Sequence, residues 1–236
     1  MVLPGAPQPS GTVLDQAATG GPALTLSEIF YSIQGESSYA GIPCVFVRLA
    51  GCNLRCRWCD ARYTYEEPGT RWTLSAILAE IDQYPATALV EITGGEPLLQ
   101  EGISPLMEQL LASGRTVLLE TNGSLAIDRV PPGVVAVLDV KCPGSGMADR
   151  FDLANLKRLR PTDELKFVLA SRADYEWAAD FVRRHGLVGR YPIHFSPVVA
   201  ELPPADLAQW LLADGLAVRL QLQLHTLLWP GRNRGV

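Results

Sequence analysis

The sequence is poor in charge: Asp, Glu, Lys and Arg make up 19% of its 236 residues, and no run of Lys or Arg is long enough to follow a phosphate backbone. With 20 basic against 25 acidic side chains, a net charge of −5 gives no electrostatic footprint for a nucleic acid, and a small-molecule substrate is expected instead. The chain also lacks any stretch of about 18 uninterrupted apolar residues, so no membrane-spanning helix is expected. Its first 23 residues hold no Lys or Arg and no continuous apolar segment, which argues against a secretory leader and for the cytoplasm. Cysteine is scarce: five in a chain of this length suit metal ligands or catalytic thiols better than the disulfide framework of a short secreted domain. The three histidines, His185, His194 and His225, show no spacing that pairs them as ligands.

What is abundant is apolar. At 47% hydrophobic residues the chain is too apolar to be disordered, and its length suits one α/β domain. Residues 1–24, rich in Pro, Gly, Ala and Thr and without periodicity, read as a mobile extension, which leaves residues 25–236 for the core. Short β-branched runs predict strands at Cys44–Leu49, Leu89–Thr93, Thr116–Glu120, Val134–Val140, Leu165–Leu169, Tyr191–Phe195 and Ala217–Leu224. Between them, helical spacing appears in Leu74, Ile77, Leu78 and Ile81 behind Thr73, and again from Ile103 to Leu111, with Pro105 in the first turn and Gly114 beyond the end. Asp174–Arg184 and Ala205–Leu212 repeat the pattern more weakly. Alternating β and α segments build a parallel sheet. The ordered chain falls short of the about 250 residues of an eightfold barrel, so an incomplete, open β/α barrel is expected, with ligand sites at the carboxyl ends of its strands.

One such end carries Cys52-Asn-Leu-Arg-Cys56-Arg-Trp-Cys59. Five cysteines scattered at random would give about 0.002 such Cx3Cx2C triplets, so the spacing implies a soft ligand set. A structural zinc site takes four ligands, usually in two pairs, and no second pair exists; Cys44 and Cys142 stand apart and read as small buried hydrophobes. An iron–sulfur cubane normally takes four thiolates, so three would leave one iron open to a further ligand. Thr93-Gly94-Gly95-Glu96-Pro97 ends the next strand, where paired glycines admit close backbone approach or simply a tight turn. Two more strand ends, at Glu120 and at Asp139-Val140-Lys141, bring charge to the same rim. Gly144-Ser-Gly146 does not extend to a dinucleotide fingerprint, because Asp149 occupies the sixth position.

The cysteine loop, with Trp58 before its third Cys, resembles the signature of the radical S-adenosylmethionine (SAM) enzymes, and Gly94 to Pro97 resembles their GGEP motif. From about Ser27 onward, Ile33-Gln34-Gly35-Glu36, the run FVRLAGCNLRCRWCD, the late LQLH and the closing RGV look like the 7-carboxy-7-deazaguanine synthases of queuosine and 7-deazapurine biosynthesis. That resemblance implies an open barrel of the radical SAM type and a lyase that converts 6-carboxy-5,6,7,8-tetrahydropterin to 7-carboxy-7-deazaguanine with loss of ammonia, through a 5′-deoxyadenosyl radical. It implies a 4Fe–4S cluster on Cys52, Cys56 and Cys59, SAM contacts from Trp58, Gly95, Asp139, Val140, Lys141 and Ser196, and substrate contacts from Ile33, Gln34, Gly35, Arg48, Thr93, Glu120 and His225. It also implies Mg²⁺, an electron donor such as flavodoxin or ferredoxin, and a homodimer. Relatives carry Thr where this chain has Ala61, which leaves Asp60 to hold the magnesium. The competing readings are a radical SAM activating enzyme acting on a protein glycine, which has no need of Gln34-Gly35-Glu36, and a non-catalytic iron–sulfur or zinc protein.

Overall fold

The structure, a computed structural model, describes residues 22–84 and 89–236. Strands β1 (Ala23–Ile33) and β2 (Pro43–Leu49) form an antiparallel pair. The chain continues through α1 (Tyr63–Glu66), β3 (Thr70–Thr73), α2 (Leu74–Ile81), β4 (Leu89–Gly94), α3 (Ile103–Ala112), β5 (Thr116–Thr121), β6 (Val135–Asp139) and α4 (Asn155–Arg158). It ends with β7 (Glu164–Leu169), α5 (Arg172–Arg184), β8 (Ile193–Pro197), α6 (Pro204–Asp214), β9 (Arg219–Leu220) and α7 (Leu224–Leu228). Among the described residues one nine-stranded sheet runs β3-β1-β2-β4-β5-β6-β7-β8-β9, parallel from β2 to β9. Its end strands β3 and β9 do not pair, so the barrel is open, as expected.

Strand periodicity sorts the core into two clusters on opposite faces of the sheet. Val45, Val47, Leu49, Val90, Ile92, Val117 and Leu119 point outward against Ile77 and Ile81 of α2 and Leu106 and Leu110 of α3. Intervening residues Cys44, Phe46, Leu89, Leu118, Val135 and Val137 join Phe30 in a smaller cluster inside the barrel. There the Phe30 and Phe46 rings stack 4.8 Å apart. Each such buried side chain contributes about 1.5–3 kcal/mol. Thr73 caps α2 as predicted, its Oγ1 accepting the Ala76 N–H at 3.2 Å, a contact worth about 1 kcal/mol.

The structure corrects two expectations. The extension predicted over residues 1–24 lies outside the described residues up to residue 21, but Ala23 belongs to β1 and Leu24, also in β1, is buried in the core. β3, a short exposed piece with no apolar period, pairs only with the first part of β1, Ala23–Leu26. Ala217–Leu224 yields only the two-residue β9, since its side chains bind a loop instead of extending the ladder. His225 follows it in the first turn of α7.

Candidate active site

A cavity of about 500 Å³ opens between the strand ends and the loop 34–37. Its wall includes Cys52, Cys56 and Cys59, so the three sulfurs belong to one space. The loop that carries them is fixed from below. Gly95 N–H donates to Leu49 O at 3.1 Å, and Glu96 N–H donates to Gly51 O at 2.8 Å. A Cβ at Gly95 would lie 2.1 Å from Gly51 O, and one at Gly94, where φ is +147°, would lie 2.3 Å from Leu49 O. The paired glycines are thus required because the end of β4 packs backbone to backbone against the cysteine loop. Gly95→Ala is expected to cost about 3 kcal/mol by overpacking and to lower iron retention, both measurable by thermal denaturation and iron assay.

Glu96, fully buried, braces the same region. Its carboxylate accepts the Leu98 N–H (3.0 Å), the Thr121 hydroxyl (2.8 Å) and the Asn122 N–H (2.8 Å). Asn122 in turn reaches Asn53 in the cysteine loop at 3.1 Å. Burial pushes the Cys56 and Cys59 thiols up, a cost that metal ligation offsets because it holds the thiolate form. Among the described residues no three His, Cys, Asp or Glu side chains converge as ligands of a single ion would.

Alternation along the strands places a charged layer above the inner apolar cluster. Arg48 is level with Thr93 across β2 and β4, while Glu120 and Asp139 project from β5 and β6. Lys166 Nζ sits 2.7 Å from Glu120 Oε1, 2.6 Å from Glu36 Oε2 and 3.9 Å from Asp139 Oδ2. Glu120 also accepts the Thr93 hydroxyl at 3.2 Å. Burial works against ionising Glu120, but Lys166, Lys141 and Arg48 outweigh it and hold the carboxyl at about 2. Lys141 pairs with Asp139 at 2.7 Å, and its ammonium is strengthened by that partner against the cost of burial. Arg48 Nε meets Glu28 Oε1 at 3.1 Å, a carboxylate that also accepts the Tyr63 hydroxyl at 2.6 Å. Both partners are partly exposed, by 17% and 18%, and Arg48 lines the cavity.

The turn Gln34-Gly35-Glu36 closes the other side. Gln221 brackets Ser37 through two bonds of 2.8 and 2.7 Å, Gln223 Nε2 donates to Glu36 at 3.0 Å, and Leu224 N–H donates to Gly35 O at 3.2 Å. This clamp carries His225 to the cavity.

Of the residues singled out in the sequence, Ile33, Gln34, Gly35, Arg48, Thr93, Glu120, His225, Trp58, Gly95, Asp139, Lys141, Asp60, Ala61 and the three cysteines all line this cavity. Val140 and Ser196 do not. Val140 is buried, its N–H spent on Lys166 O, and Ser196 lies wholly inside with no partner for its hydroxyl. Ala61 offers no side-chain oxygen, and its carbonyl is taken by Thr64. Asp60 is the hard oxygen donor that remains beside it. Sequence reasoning missed Lys166, Glu91 and Tyr63; for the first two, an isolated charge inside the apolar runs ELKFVL and LVEITG was the available signal.

The radical SAM superfamily matches residues 47–135 of the chain. The 7-carboxy-7-deazaguanine synthase of Koribacter versatilis is 48% identical over 90% of this chain and 100% of the relative. That of Chlorobaculum tepidum is 50% identical over 90% of this chain and 97% of the relative. Among solved structures, QueE from Escherichia coli shares the fold with a TM-score of 0.70 at 24% identity, covering 85% of this chain and 94% of that one.

Proposed function

The chain belongs to the 7-carboxy-7-deazaguanine synthase family of radical SAM enzymes, and from that premise we propose how its own residues divide the reaction. It is a lyase that converts 6-carboxy-5,6,7,8-tetrahydropterin to 7-carboxy-7-deazaguanine and releases ammonia, with a 4Fe–4S cluster, SAM and Mg²⁺ as cofactors. Cys52, Cys56 and Cys59 hold the cluster. When bound, the cluster and SAM together supply the radical that starts the ring contraction. The observation that carries this reading is that the three sulfurs share one cavity with the Arg48 guanidinium and the Lys166–Glu120 ion pair.

Each neighbouring side chain has a physical task. Arg48, with Nε engaged by Glu28, supplies positive charge for the substrate carboxylate, and a guanidinium suits that partner because it can fork across both oxygens. Glu120 is kept ionised by Lys166 and accepts N–H groups of the heterocycle; Thr93 steadies it. Ile33, Gln34, Gly35 and His225 close the cavity over the ring. Trp58, Gly95, Asp139 and Lys141 border the SAM side, where the Asp139–Lys141 pair sets a fixed dipole. Val140 and Ser196 stand behind this surface and act through packing. Asp60 holds the magnesium with substrate and water, as a hard octahedral ion allows.

No helix among the described residues is long and apolar enough to cross a membrane. In keeping with its small-molecule chemistry, the enzyme acts in the cytoplasm, as a homodimer that takes its electron from a flavodoxin- or ferredoxin-like donor.

The test is direct. Reconstituted protein with dithionite, SAM and the tetrahydropterin is expected to give the deazapurine by mass spectrometry, with release of ammonia. SAM cleavage without that product would move the chain to the activating-enzyme class, and no SAM cleavage would leave only an iron–sulfur protein.

A further inference from the structure

Glu91 is a buried carboxyl group that the reaction as described does not use. It projects from the middle of β4 into the barrel, level with Phe46 on β2 and Leu118 on β5. With Val137, these belong to the inner apolar cluster, so Glu91 stands in a hydrophobic floor, one layer below Thr93 and Glu120. It nevertheless lines the cavity. Its Oε2 accepts a hydrogen bond from Gln34 Nε2, and the Gln34 carbonyl oxygen accepts the Glu36 N–H at 2.9 Å, which fixes the direction of the amide.

We propose that Glu91 is a specificity-determining residue: as an uncharged carboxylic acid it donates a hydrogen bond to the ring carbonyl of the pyrimidinone edge, while Glu120 as a carboxylate accepts from the adjoining N–H groups. This rests on the reading of the substrate as a 4-oxo pterin. Two carboxyl groups of opposite protonation state, one layer apart, match an edge that presents an acceptor beside donors. A buried acid kept neutral can donate where a carboxylate can only accept. Burial in the apolar floor and the facing charges of Glu120 and Glu36 both favour the protonated form. Lys166 on β7 and Arg48 on β2 act in the other direction, but Lys166 is already shared between Glu120 and Glu36, and Arg48 is paired with Glu28.

The test compares two stable ligands on reconstituted wild-type and Glu91→Gln protein by calorimetry: 6-carboxypterin, which carries the ring carbonyl, and its 2,4-diamino counterpart, which replaces that carbonyl with an amino donor and the adjoining ring N–H with a bare nitrogen. The second change falls on Glu120 in both proteins alike, so the change in preference between them reports Glu91. Wild type is expected to favour the carbonyl compound by at least about tenfold, since two donors face each other in a desolvated site. The variant amide can turn to donate or accept, so its preference is expected to fall by at least about threefold. Equal affinities in wild type, a preference for the diamino compound, or a preference undiminished in the variant overturns the assignment. An independent readout is stability. The native chain keeps a proton that the unfolded chain releases above about pH 4.3, so wild type should lose stability relative to Glu91→Gln as pH rises from about 5 to 7. Parallel denaturation curves overturn the acid form. Wild-type turnover of the tetrahydropterin is measured first; its failure would count against the family reaction, whereas the ligand comparison bears on Glu91 alone.

Discussion

Replacing Cys52, Cys56 or Cys59 singly with Ala is expected to abolish the iron-dependent visible absorbance and reduce product formation to background. A cubane bound by three protein thiolates has no spare thiolate, and the neighbouring Asn122, whose Nδ2 lies 4.0 Å from Cys52 Sγ, is a donor there. Cys44 and Cys142 are both buried away from the cavity wall, so neither can move in without breaking β2 or the turn after β6. Their replacement by Ala should leave the absorbance intact and cost only the packing of a small side chain. The paired outcome separates ligation from general damage to the fold. Iron and acid-labile sulfide retained in all three loop variants would remove the cluster from these residues, and zinc in place of both would restore the structural-metal reading.

Lys166→Met is expected to cost about 3–5 kcal/mol, because removing one partner of a buried ion pair strands the other. Here two carboxylates are stranded, Glu36 and Glu120, each within 2.7 Å of the ammonium. For a chain of this size about 2–4 °C of melting temperature accompanies each kcal/mol, so a drop of roughly 10 °C should be seen near neutral pH. The sign of the acid response follows from Glu120, held at about 2 in the folded protein. A lowered carboxyl stabilises the fold above its unfolded value of about 4.3, and that contribution is lost as pH falls from there towards 2. The difference between wild type and Lys166→Met should therefore narrow over that interval. Adding Glu120→Gln to the lysine variant should recover part of the loss at neutral pH. A single-variant effect below about 1 kcal/mol would mean that the network behaves like a solvated surface pair.

The parts of the molecule legible in the sequence are those whose information is local. The parallel strands announce themselves through β-branched runs, α2 through Thr73 and its apolar stripe, and the cysteine loop through spacing alone. The charged layer was half visible: Arg48, Thr93, Glu120 and Asp139 sit at or near strand ends, where chemistry is expected. Lys166 and Glu91 lie within strands that otherwise read as buried, and only the three-dimensional pairing with Glu36, Glu120 and Gln34 explains why charge or polarity is tolerated there. The C-terminal segment failed for a related reason. Its alternating LQLQL looks like a strand, but Gln221 and Gln223 are satisfied by residues 37 and 36, so side chains replace most of the expected ladder. Leu24 could not be assigned to the core because its pairing with β3 involves a four-residue strand that carries no periodic signal.

That glutamine clamp joins positions separated by 184 residues. At about 5–20 residues per second on the ribosome, the Gln34 turn must wait about 10–40 s for Gln221 to be made. Until then the nascent polypeptide presents this polar hairpin without its glutamine clamp, and loading of the ring-binding half before synthesis is nearly complete is disfavoured.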